Sequence, residues 1–473
     1  MTEDFIKARF APSPTGLLHI GNVRTALFNA LLAQGHHGVF LLRIEDTDRE
    51  RSRDEYTEAL MTDLRWLGMA WQEGPDVAGS HGPYCQSQRG GIYRDYFEAL
   101  EARDLAYPCF CSPRELELSR KAQLSAGRPP RYAGTCARLN EQERATRLAR
   151  GIAPTLRFRV SDGRMVEFND YVRGPQKFKT DDIGDFIVRR ADGTPSFFFT
   201  NAIDDALMGV THVLRGEDHI TNTPRQILLL EALGLRIPGY GHISLIVADN
   251  GAPLSKRLGS RSVRELRESG FMSLAVVNYL ARLGHVYGGN GFMTYAQLAE
   301  HFSIDKLGRS PARYDDKQLM YWQQEAIAAA DEERLWQWMG AEVHERVPEA
   351  VRAAFINAVR ANVVLPPDAA QWARLVFGDE LALTDDAGAA VAGAAPGFFD
   401  AAITALADSA DDFKALANGI KSALDVKGKA LFQPLRAALT GRLDGPEMGQ
   451  LLPLIGVERA RARFERCRDR VSI

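Results

Sequence analysis

Two short clusters of polar residues have side chains that could bind a charged ligand, and the first of them has the glycine and histidine suited to an anion. Residues 19–22 (HIGN) end a loop rich in proline and glycine, and residues 45–48 (EDTD) directly follow an apolar run. Gly21 lets the backbone approach a ligand, N–H groups at a helix start favour a phosphate, and His19 can hydrogen-bond a developing negative charge. Taken alone, each cluster has a simpler interpretation. His19 could merely cap a helix, and residues 43–49 could form an exposed, self-paired charge cluster.

The elements around these clusters predict that both lie at one edge of a parallel sheet. Apolar residues follow the first cluster at helical spacing, namely Val23, Ala26, Leu27, Ala30 and Leu31. Residues 39–44 (VFLLRI) are short and apolar enough for a buried strand, and another apolar run precedes the loop. A strand, a helix and a strand within about forty residues indicate a right-handed crossover, and its ligand crevice lies beyond the carboxyl ends of the strands.

The whole stretch from Arg9 to Arg24 (RFAPSPTGLLHIGNVR) is far more specific than any of its tripeptides. It resembles the HIGH signature of class I aminoacyl-tRNA synthetases, in the form found in bacterial-type glutamyl-tRNA synthetases. About 235 residues later, residues 254–257 (LSKR) lie on a Gly/Pro-rich loop and resemble the KMSKS loop of the same family. Pro253 departs from the family pattern, which usually has a lysine or a similar polar residue at that position.

This resemblance implies ATP-dependent attachment of L-glutamate to tRNA through a glutamyl-adenylate intermediate, with Mg²⁺ carried by ATP and with release of AMP and pyrophosphate. It also implies that His19 and Lys256 are catalytic, stabilising the charge that develops as pyrophosphate leaves. The implied ATP-binding residues are His19, Gly21, Asn22, Ser255, Lys256 and Arg257.

The implied glutamate-binding residues are Arg9, Ala11, Ser13, Glu45, Phe197, Asn201 and Arg215. The two arginines are suited to the side-chain carboxylate of the substrate, and Glu45 is suited to its ammonium group. Phe197 stands where the family often has a tyrosine, so one hydroxyl contact is missing or replaced.

Three of the five cysteines, Cys109, Cys111 and Cys136, are one ligand short of a closed tetrahedral zinc site. Some members of the resembled family add a histidine two residues after the third cysteine, where this chain has Arg138, and others have a tyrosine four residues before it, here Tyr132. Two alternatives stay open: a Zn²⁺ site with Tyr132 as fourth ligand, or a relic site with free thiols. The odd, scattered cysteines do not indicate a disulfide framework, so we expect a reducing compartment.

The expected fold class is α/β, with a Rossmann-like parallel-sheet catalytic domain, an inserted acceptor-stem-binding domain and an all-helical C-terminal anticodon-binding region. Strand and helix patterns place the two halves of the catalytic domain at residues 1–105 and 185–250. We expect the insertion at residues 106–184, the KMSKS-like loop and a stem-contact region at 251–325, and the helical domain at 326–473. The tRNA-binding roles of these domains follow from the resemblance alone.

Composition gives no global signal for a nucleic-acid partner. The chain has 473 residues, of which 45% are hydrophobic and 25% charged, and its formal net charge is −3, so tRNA would have to meet local basic surfaces. No uncharged apolar run approaches the ~18 residues that span a bilayer, and the N-terminus lacks a signal-peptide pattern. We therefore expect a cytoplasmic monomer with no membrane partner. The basic run from Arg459 to Arg470 is interleaved with acids, which favours a solvated helix face over a phosphate-binding one.

Three other functions compete with charging of tRNA-Glu. The chain could be a paralogue specialised in glutamylating tRNA-Gln, or the truncated relative that glutamylates a modified base in tRNA; the latter lacks a helical C-terminal domain, whereas nearly 150 residues follow residue 325 here. A non-catalytic tRNA-binding paralogue would be favoured by loss of His19, Glu45 or Lys256, and all three are present.

Overall fold

The computed structural model describes residues 5–48, 50–77, 79–248, 250–252, 254 and 261–471. The chain divides into two compact units: Met1–Leu266 with Val276–Asp316, and Arg267–Ala275 with Lys317–Ile473. None of the helices formed by the described residues combines the length and apolar character needed to cross a membrane.

The strands, numbered along the chain, are short and lie in the first unit. They are β1 (Lys7–Phe10), β2 (Val39–Leu42), β3 (Ala106–Cys109), β4 (Thr155–Phe158), β5 (Met165–Asp170), β6 (Gly174–Lys179), β7 (Phe186–Arg189), β8 (His212–Gly216), β9 (Gly239–Ile243), β10 (Ile246–Val247) and β11 (Ala312–Arg313). The helices up to residue 301 are α1 (Ile20–Gly35), α2 (Asp54–Trp66), α3 (Gly90–Ala102), α4 (Pro113–Ser125), α5 (Glu141–Ala149), α6 (Thr180–Ile183), α7 (Phe197–Leu207), α8 (Thr223–Leu233), α9 (Val263–Glu268), α10 (Ser273–Arg282) and α11 (Tyr295–His301).

The first unit is organised around a four-stranded parallel sheet with the order β2-β1-β8-β9. Phe10 pairs with Leu42, and Gly216 pairs with Ile243, so the carboxyl ends of all four strands meet at one edge. All four residues of β1 are buried, as expected for a central strand that is covered on both faces. Helix α1 makes the predicted crossover from β1 to β2, and the five apolar residues that predicted it are all buried. The parallel α/β prediction is therefore confirmed.

Two small antiparallel sheets lie between the halves of the parallel sheet in sequence. One has the order β3-β4-β7 and the other is the hairpin of β5 and β6. The sequence-based division began the second catalytic half at residue 185, whereas β7 pairs with β4 through Phe158 and Phe186. The rings of these two phenylalanines pack with centroids 5.2 Å apart, so aromatic packing accompanies the pairing of β7 with this sheet.

The chain forms two separate strands between residues 239 and 247. β9 ends at Ile243, and β10 pairs with β11 instead of the central sheet. Between β9 and β10, side chains form hydrogen bonds with the backbone: Arg24 donates to the Ser244 carbonyl, and the Leu245 N–H donates to Glu217 Oε1 over 3.0 Å. The chain leaves the sheet at Ser244 because these side chains replace a strand neighbour.

The second unit is helical, as predicted for residues beyond 325. Its helices are α12 (Asp316–Ala329), α13 (Glu332–Met339), α14 (Ala341–Arg346), α15 (Arg352–Val359), α16 (Pro366–Phe377), α17 (Asp385–Ala392), α18 (Phe398–Ser409), α19 (Phe413–Leu424), α20 (Lys429–Thr440), α21 (Met448–Ile455) and α22 (Val457–Val471).

One residue of the basic run on α22 contradicts the solvated-face interpretation. Arg463 is 1% exposed, and it shares the buried face of the helix with Ala460, Phe464 and Cys467. Its terminal nitrogens donate to the carbonyl groups of Leu375, Gly378 and Leu439. These carbonyls lie at or just beyond the ends of α16 and α20, where the helix dipole is negative and stabilises a cation.

Candidate active site and cysteine cluster

A cavity of about 470 Å³ opens at the carboxyl edge of the parallel sheet. It is lined by nine of the residues predicted from sequence: Arg9, Ala11, Ser13, Gly21, Asn22, Glu45, Phe197, Asn201 and Arg215. His19 is not one of the lining residues, but it immediately precedes Ile20, the first residue of α1. Ser255, Lys256 and Arg257, as well as Pro253, lie outside the described residues.

The inner end of this cavity is built on a connected cluster of buried charges. Four arginines and three carboxylates form it: Arg9, Arg43, Arg89, Arg215, Glu45, Asp204 and Asp205. Burying charge is unfavourable unless each group finds partners, so a buried guanidinium with an unused donor, in a residue that lines a cavity, favours an anionic ligand there.

Arg43 is the centre of the cluster and has no exposed surface. Its Nη1 donates to Asp205 Oδ1 over 2.7 Å, and its Nη2 donates to Glu45 Oε1 over 3.1 Å. Burial disfavours the cation, but the carboxylates of Asp205, Glu45 and Asp204 outweigh that effect and raise the pKa of Arg43. The interpretation of residues 43–49 as an exposed cluster is therefore wrong for Arg43 and Glu45, which are buried.

Arg9 lies beside Arg43 on the same carboxylate. It donates from Nε and Nη2 to the two oxygens of Asp205 over 3.2 and 3.3 Å. Burial alone would raise the pKa of Asp205, but Arg9 and Arg43 hold it below its ordinary value. Asp205 therefore stays ionised and fixes both guanidinium groups at the cavity.

Arg215 ends β8 and is buried against β9. It donates from Nε to His242 Nε2 over 3.1 Å, and from Nη2 to Thr223 Oγ1 and Gln226 Oε1 over 2.7 and 2.8 Å. No acceptor among the described residues lies within hydrogen-bond distance of its buried Nη1. Burial lowers the pKa of Arg215 to about 10, so the side chain is still a cation at neutral pH. A buried donor without an acceptor is costly, which makes Nη1 a contact point for a ligand oxygen.

The outer end of the cavity has the features expected for a phosphate. The N–H groups in the first turn of α1 have no partner within the helix, and Gly21 and Asn22 of that turn line the cavity. A Cβ built on Gly16 or Gly21 would meet nothing within 4 Å, so the space beside both glycines is open to a ligand. The His19 side chain makes no capping hydrogen bond to the helix, contrary to the simpler interpretation of HIGN.

The segments that flank residues 255–260 lie close to this end. Leu254 lines the cavity, and its N–H donates to the Ile246 carbonyl over 3.0 Å. On the other side, Ser262 forms a β-bridge with His19, and the Val263 N–H donates to the Leu18 carbonyl over 3.0 Å. Both flanks of the KMSKS-like loop are therefore anchored beside the HIGN segment.

Several functional residues were not predicted from sequence. Asp205, Gln226 and His242 hold the predicted arginines, and His219 lines the cavity with its ring 5.6 Å from that of Phe197. None of these four was marked by a motif in the sequence, and only the structure shows that His242 pairs directly with Arg215 in the sheet register. Aspartate and glutamine inside helices α7 and α8 look like ordinary solvated positions until the packing is known.

The three predicted cysteines and Tyr132 come together at the end of β3. The sulfur atoms of Cys109, Cys111 and Cys136 all lie within 4.8 Å of one another. Tyr132 Oη is 3.4 Å from the sulfurs of Cys109 and Cys111, and it accepts from the Cys136 N–H over 2.8 Å. Burial raises the pKa of Cys109, but hydrogen bonds from Tyr132 and Arg157 outweigh it and bring the pKa below the ordinary value.

A second cavity, of about 800 Å³, opens beside the cysteine cluster. Five arginines line it: Arg120, Arg131, Arg157, Arg190 and Arg225. Arg225 also lies over the ring of Phe198, with its guanidinium carbon 5.6 Å from the ring centroid. This is a local basic surface with aromatic side chains, of the kind that the composition requires if the chain binds nucleic acid.

Comparison with known proteins gives one consistent result over the full chain. Residues 5–321 match the family of class I tRNA synthetases (E and Q), catalytic domain, and residues 321–468 match the anticodon binding domain family. Glutamate–tRNA ligase 2 of Nitrosococcus oceani is 59% identical over 469 residues, and glutamate–tRNA ligase 2 of Alkalilimnicola ehrlichii is 57% identical over 472 residues; each alignment covers 99% of both proteins.

A solved structure agrees with these relatives. The crystal structure of a glutamate tRNA ligase from Elizabethkingia meningosepticum superimposes with a TM-score of 0.90 at 27% sequence identity, covering 99% of this chain and 100% of that chain. The likeness includes both the α/β unit and the helical unit, which confirms the expected fold class. The parallel sheet with its HIGN loop and the two family matches lead to the same conclusion: the chain belongs to the glutamate–tRNA ligase family of class I aminoacyl-tRNA synthetases.

Proposed function

We propose that this enzyme joins L-glutamate to tRNA with ATP, and that the cavity at the sheet edge is where glutamyl-adenylate forms. The observation that carries the proposal is Arg215, a buried cation that lines the cavity and whose Nη1 has no acceptor among the described residues. The chemistry of the lining supports it, because glutamate carries carboxylates that suit Arg9 and Arg215 and an ammonium group that suits Glu45, and all three residues line the cavity.

The residues at the inner end would bind the amino acid. Arg215 and Arg9 read the side-chain carboxylate through charge-assisted hydrogen bonds, and Glu45 holds the ammonium group. Glu45 Oε1 already accepts from Asn201 Nδ2 over 2.7 Å, so that amide fixes the carboxylate in place. The remaining contacts come from residues that line the same cavity, namely Ala11, Ser13 and Phe197.

The outer end would bind ATP. Gly21 and Asn22 in the first turn of α1 offer backbone N–H groups to the phosphates, and His19 precedes them. Ser255, Lys256 and Arg257 follow Leu254, which lines the cavity, so we assign their loop to the triphosphate. The glutamate α-carboxylate attacks the α-phosphorus and pyrophosphate leaves, while His19 and Lys256 stabilise the developing negative charge. A terminal ribose hydroxyl of tRNA then attacks the glutamyl carbonyl, and AMP leaves.

The described residues form no carboxylate cluster suited to Mg²⁺, because their one metal-competent group is the three cysteines. Mg²⁺ keeps waters and phosphate oxygens in many nucleotide sites, so we assign it to ATP itself and to no protein residue.

Charging assays test the proposed function directly. Purified tRNA-Glu and tRNA-Gln are offered separately with labelled glutamate and ATP. His19→Ala and Lys256→Ala should each lower the rate by ~10²-fold or more without unfolding, by analogy with loss of one oxyanion-type stabiliser. Arg236→Ala, which removes an exposed cation of the same unit outside the ranges assigned to tRNA, is the matched control and should retain the wild-type rate. No charging of either tRNA would indicate a non-catalytic protein, and charging of tRNA-Gln alone would indicate the specialised paralogue.

We further propose that the cysteine cluster binds structural Zn²⁺ through Cys109, Cys111, Cys136 and Tyr132. A tetrahedral site with Zn–S bonds of about 2.3 Å requires sulfurs about 3.8 Å apart. The Cys111 and Cys136 sulfurs are 3.6 Å apart, all three sulfurs lie within 4.8 Å of one another, and the phenol oxygen lies 3.4 Å from two of them, which supports a single metal shared by these four ligands. With four protein ligands the metal would hold the fold together and would not act as a Lewis acid.

Elemental analysis of protein purified without chelator decides between zinc and a relic site. We expect one zinc per chain, lost in Cys111→Ser and weakened in Tyr132→Phe, which removes only the phenol oxygen. Metal loss should raise the KM for tRNA more than the KM for ATP, because this cluster lies beside the arginine-lined cavity and not beside α1. Absence of zinc together with three titratable thiols would establish the relic site.

We assign the acceptor end of tRNA to residues 106–184, with a stem contact at 251–325 and the anticodon at 326–473. The arginine-lined cavity beside the cysteine cluster supports the first assignment, and the family match over residues 321–468 supports the last. We also propose a cytoplasmic monomer, because one chain supplies every side chain named at the cavity. Light scattering of the purified protein, alone and with tRNA, tests the monomer.

A further inference from the structure

This inference rests on the proposed function. It concerns two chains of hydrogen bonds that lead away from Arg215 through its partners. One chain runs through His242 to Asp170, which ends β5 and does not line the cavity. The other runs through Gln226 and Asn201 to Glu45, at the opposite side of the glutamate site. Each chain has a direction, because every hydrogen bond has one donor and one acceptor.

We propose that Asp170, His242 and Gln226 are positioning residues: His242, oriented by Asp170, and Gln226 hold two donor groups of Arg215 and so direct its Nη1 at the substrate carboxylate.

Asp170 determines which nitrogen of His242 carries the proton. Its Oδ1 accepts from the N–H groups of Val172, Arg173 and His242 over 2.9, 2.8 and 3.1 Å. Its Oδ2 lies 2.5 Å from His242 Nδ1, so a carboxylate there requires a proton on Nδ1. Nε2 is then an acceptor, which is the form that Arg215 Nε needs at 3.1 Å. The opposite tautomer would point an N–H at another N–H.

Gln226 fixes the direction of a second series of hydrogen bonds, which crosses the glutamate site. An arginine can only donate, so the Gln226 oxygen must face Arg215, and its Nε2 must donate to Asn201 Oδ1 over 2.9 Å. Asn201 Nδ2 then has to face Glu45 Oε1, which also accepts from Arg43 Nη2. With a pure donor at one end and an acceptor at the other, both amides have a single permitted orientation. Gln226 is 0% exposed, so water cannot replace either bond.

Asp170→Asn tests the proposal with almost no change of shape. Three backbone N–H groups face Oδ1, so the new amide must keep its oxygen there and turn its NH₂ toward His242 Nδ1. This forces the proton onto Nε2, where it opposes Arg215. We expect the Kd for glutamate, measured by calorimetry, to rise by ~10- to 100-fold, and the Kd for ATP to stay within twofold of wild type.

Asp185→Asn is the matched control. Asp185 also accepts a backbone N–H, from Val160 over 2.8 Å, and a side-chain donor, the Tyr107 hydroxyl, but it touches neither His242 nor Arg215. Its glutamate Kd should equal that of wild type. The ring ¹⁵N shifts of His242 give a readout that a purely structural role would not move: the proton should sit on Nδ1 in wild type and on Nε2 in Asp170→Asn.

The outcomes separate this proposal from the proposed function. Wild-type protein that fails to bind glutamate contradicts the function, whereas wild-type binding with an unchanged Kd in folded Asp170→Asn overturns the positioning role. If Asp170→Asn does not fold, Gln226→Glu decides: its carboxylate accepts from Arg215 but cannot donate to Asn201, so glutamate should bind ~10-fold more weakly although a charge pair has been gained. An unchanged or stronger affinity in Gln226→Glu would overturn the proposal.

Discussion

Arg215 in the catalytic unit and Arg463 in the helical unit are both buried arginines, and burial lowers the pKa of each to about 10. Neither is bonded to a carboxylate among the described residues. They differ in how their terminal nitrogens are used. Arg463 directs both at carbonyl groups near helix ends, whereas Arg215 lines a cavity and its Nη1 has no acceptor among the described residues.

The comparison shows that neither burial nor a shifted pKa marks a functional arginine. Arg463 ties helix ends together, since the negative ends of α16 and α20 take the place of a counter-ion. Arg215 is held by neutral side chains, which orient it without neutralising it, so its charge remains available to a ligand. The unused terminal donor and the neutral holders are the features that distinguish a binding residue from a structural one.

The largest effect is expected for Arg215→Leu. Without the guanidinium the substrate carboxylate is buried unpaired, so glutamate should bind about 3–5 kcal/mol more weakly, or ~10²–10³-fold. ATP binds at the other end of the cavity and its Kd should barely change. Separate titrations with glutamate and ATP check this, and an equal loss of both affinities would make Arg215 structural and break the comparison.

Arg463→Met should show the reverse pattern. Methionine can fill the volume but leaves the carbonyl groups of Leu375, Gly378 and Leu439 without their donor, which should destabilise the helical unit by about 2 kcal/mol. Hydrogen exchange on the full chain should locate the faster-exchanging amides in α16 and α20, while the glutamate Kd stays within twofold of wild type. A changed glutamate affinity, or unchanged exchange, would contradict the structural role.

Sequence reasoning predicted the two arginines with different success. The resemblance to the family identified Arg215 as a glutamate-binding residue, and the structure places it in the cavity lining. Arg463 was wrongly assigned to a solvated helix face. It shares a face with the apolar positions 460, 464 and 467 at helical spacing, but the prediction relied on the charge of the residue and not on this periodicity.

The partners of both residues were beyond sequence reasoning for a physical reason. Asp170 is 45 residues from Arg215, and Leu375 is 88 residues from Arg463, so only tertiary packing brings them together. Buried polar networks depend on atomic positions that periodicity and composition do not encode. The loop at residues 255–260 was predicted from its motif, and its role stays a prediction because it lies outside the described residues.

The smallest expected effect is the pH dependence of glutamate binding, and it distinguishes the two arginines again. Burial lowers the pKa of His242, and Arg215 and Arg173 lower it further, although Asp170 opposes them. The neutral ring that Arg215 requires should therefore persist below pH 6.5, the ordinary histidine value.

The contribution of His242 to folding stability changes in the same direction. Between pH 6.5 and the lower folded-state pKa the unfolded chain binds more protons, so the stabilisation from the neutral ring is complete above pH 6.5 and falls as the pH decreases. Calorimetry should accordingly give a nearly constant glutamate Kd from pH 8 to pH 6.5. A tenfold weaker glutamate affinity within that range would mean that His242 becomes protonated there and does not hold Arg215 as a neutral acceptor. Arg463 has only backbone carbonyls as partners, which do not titrate, so exchange protection of α16 and α20 should show no step from this cluster over the same range.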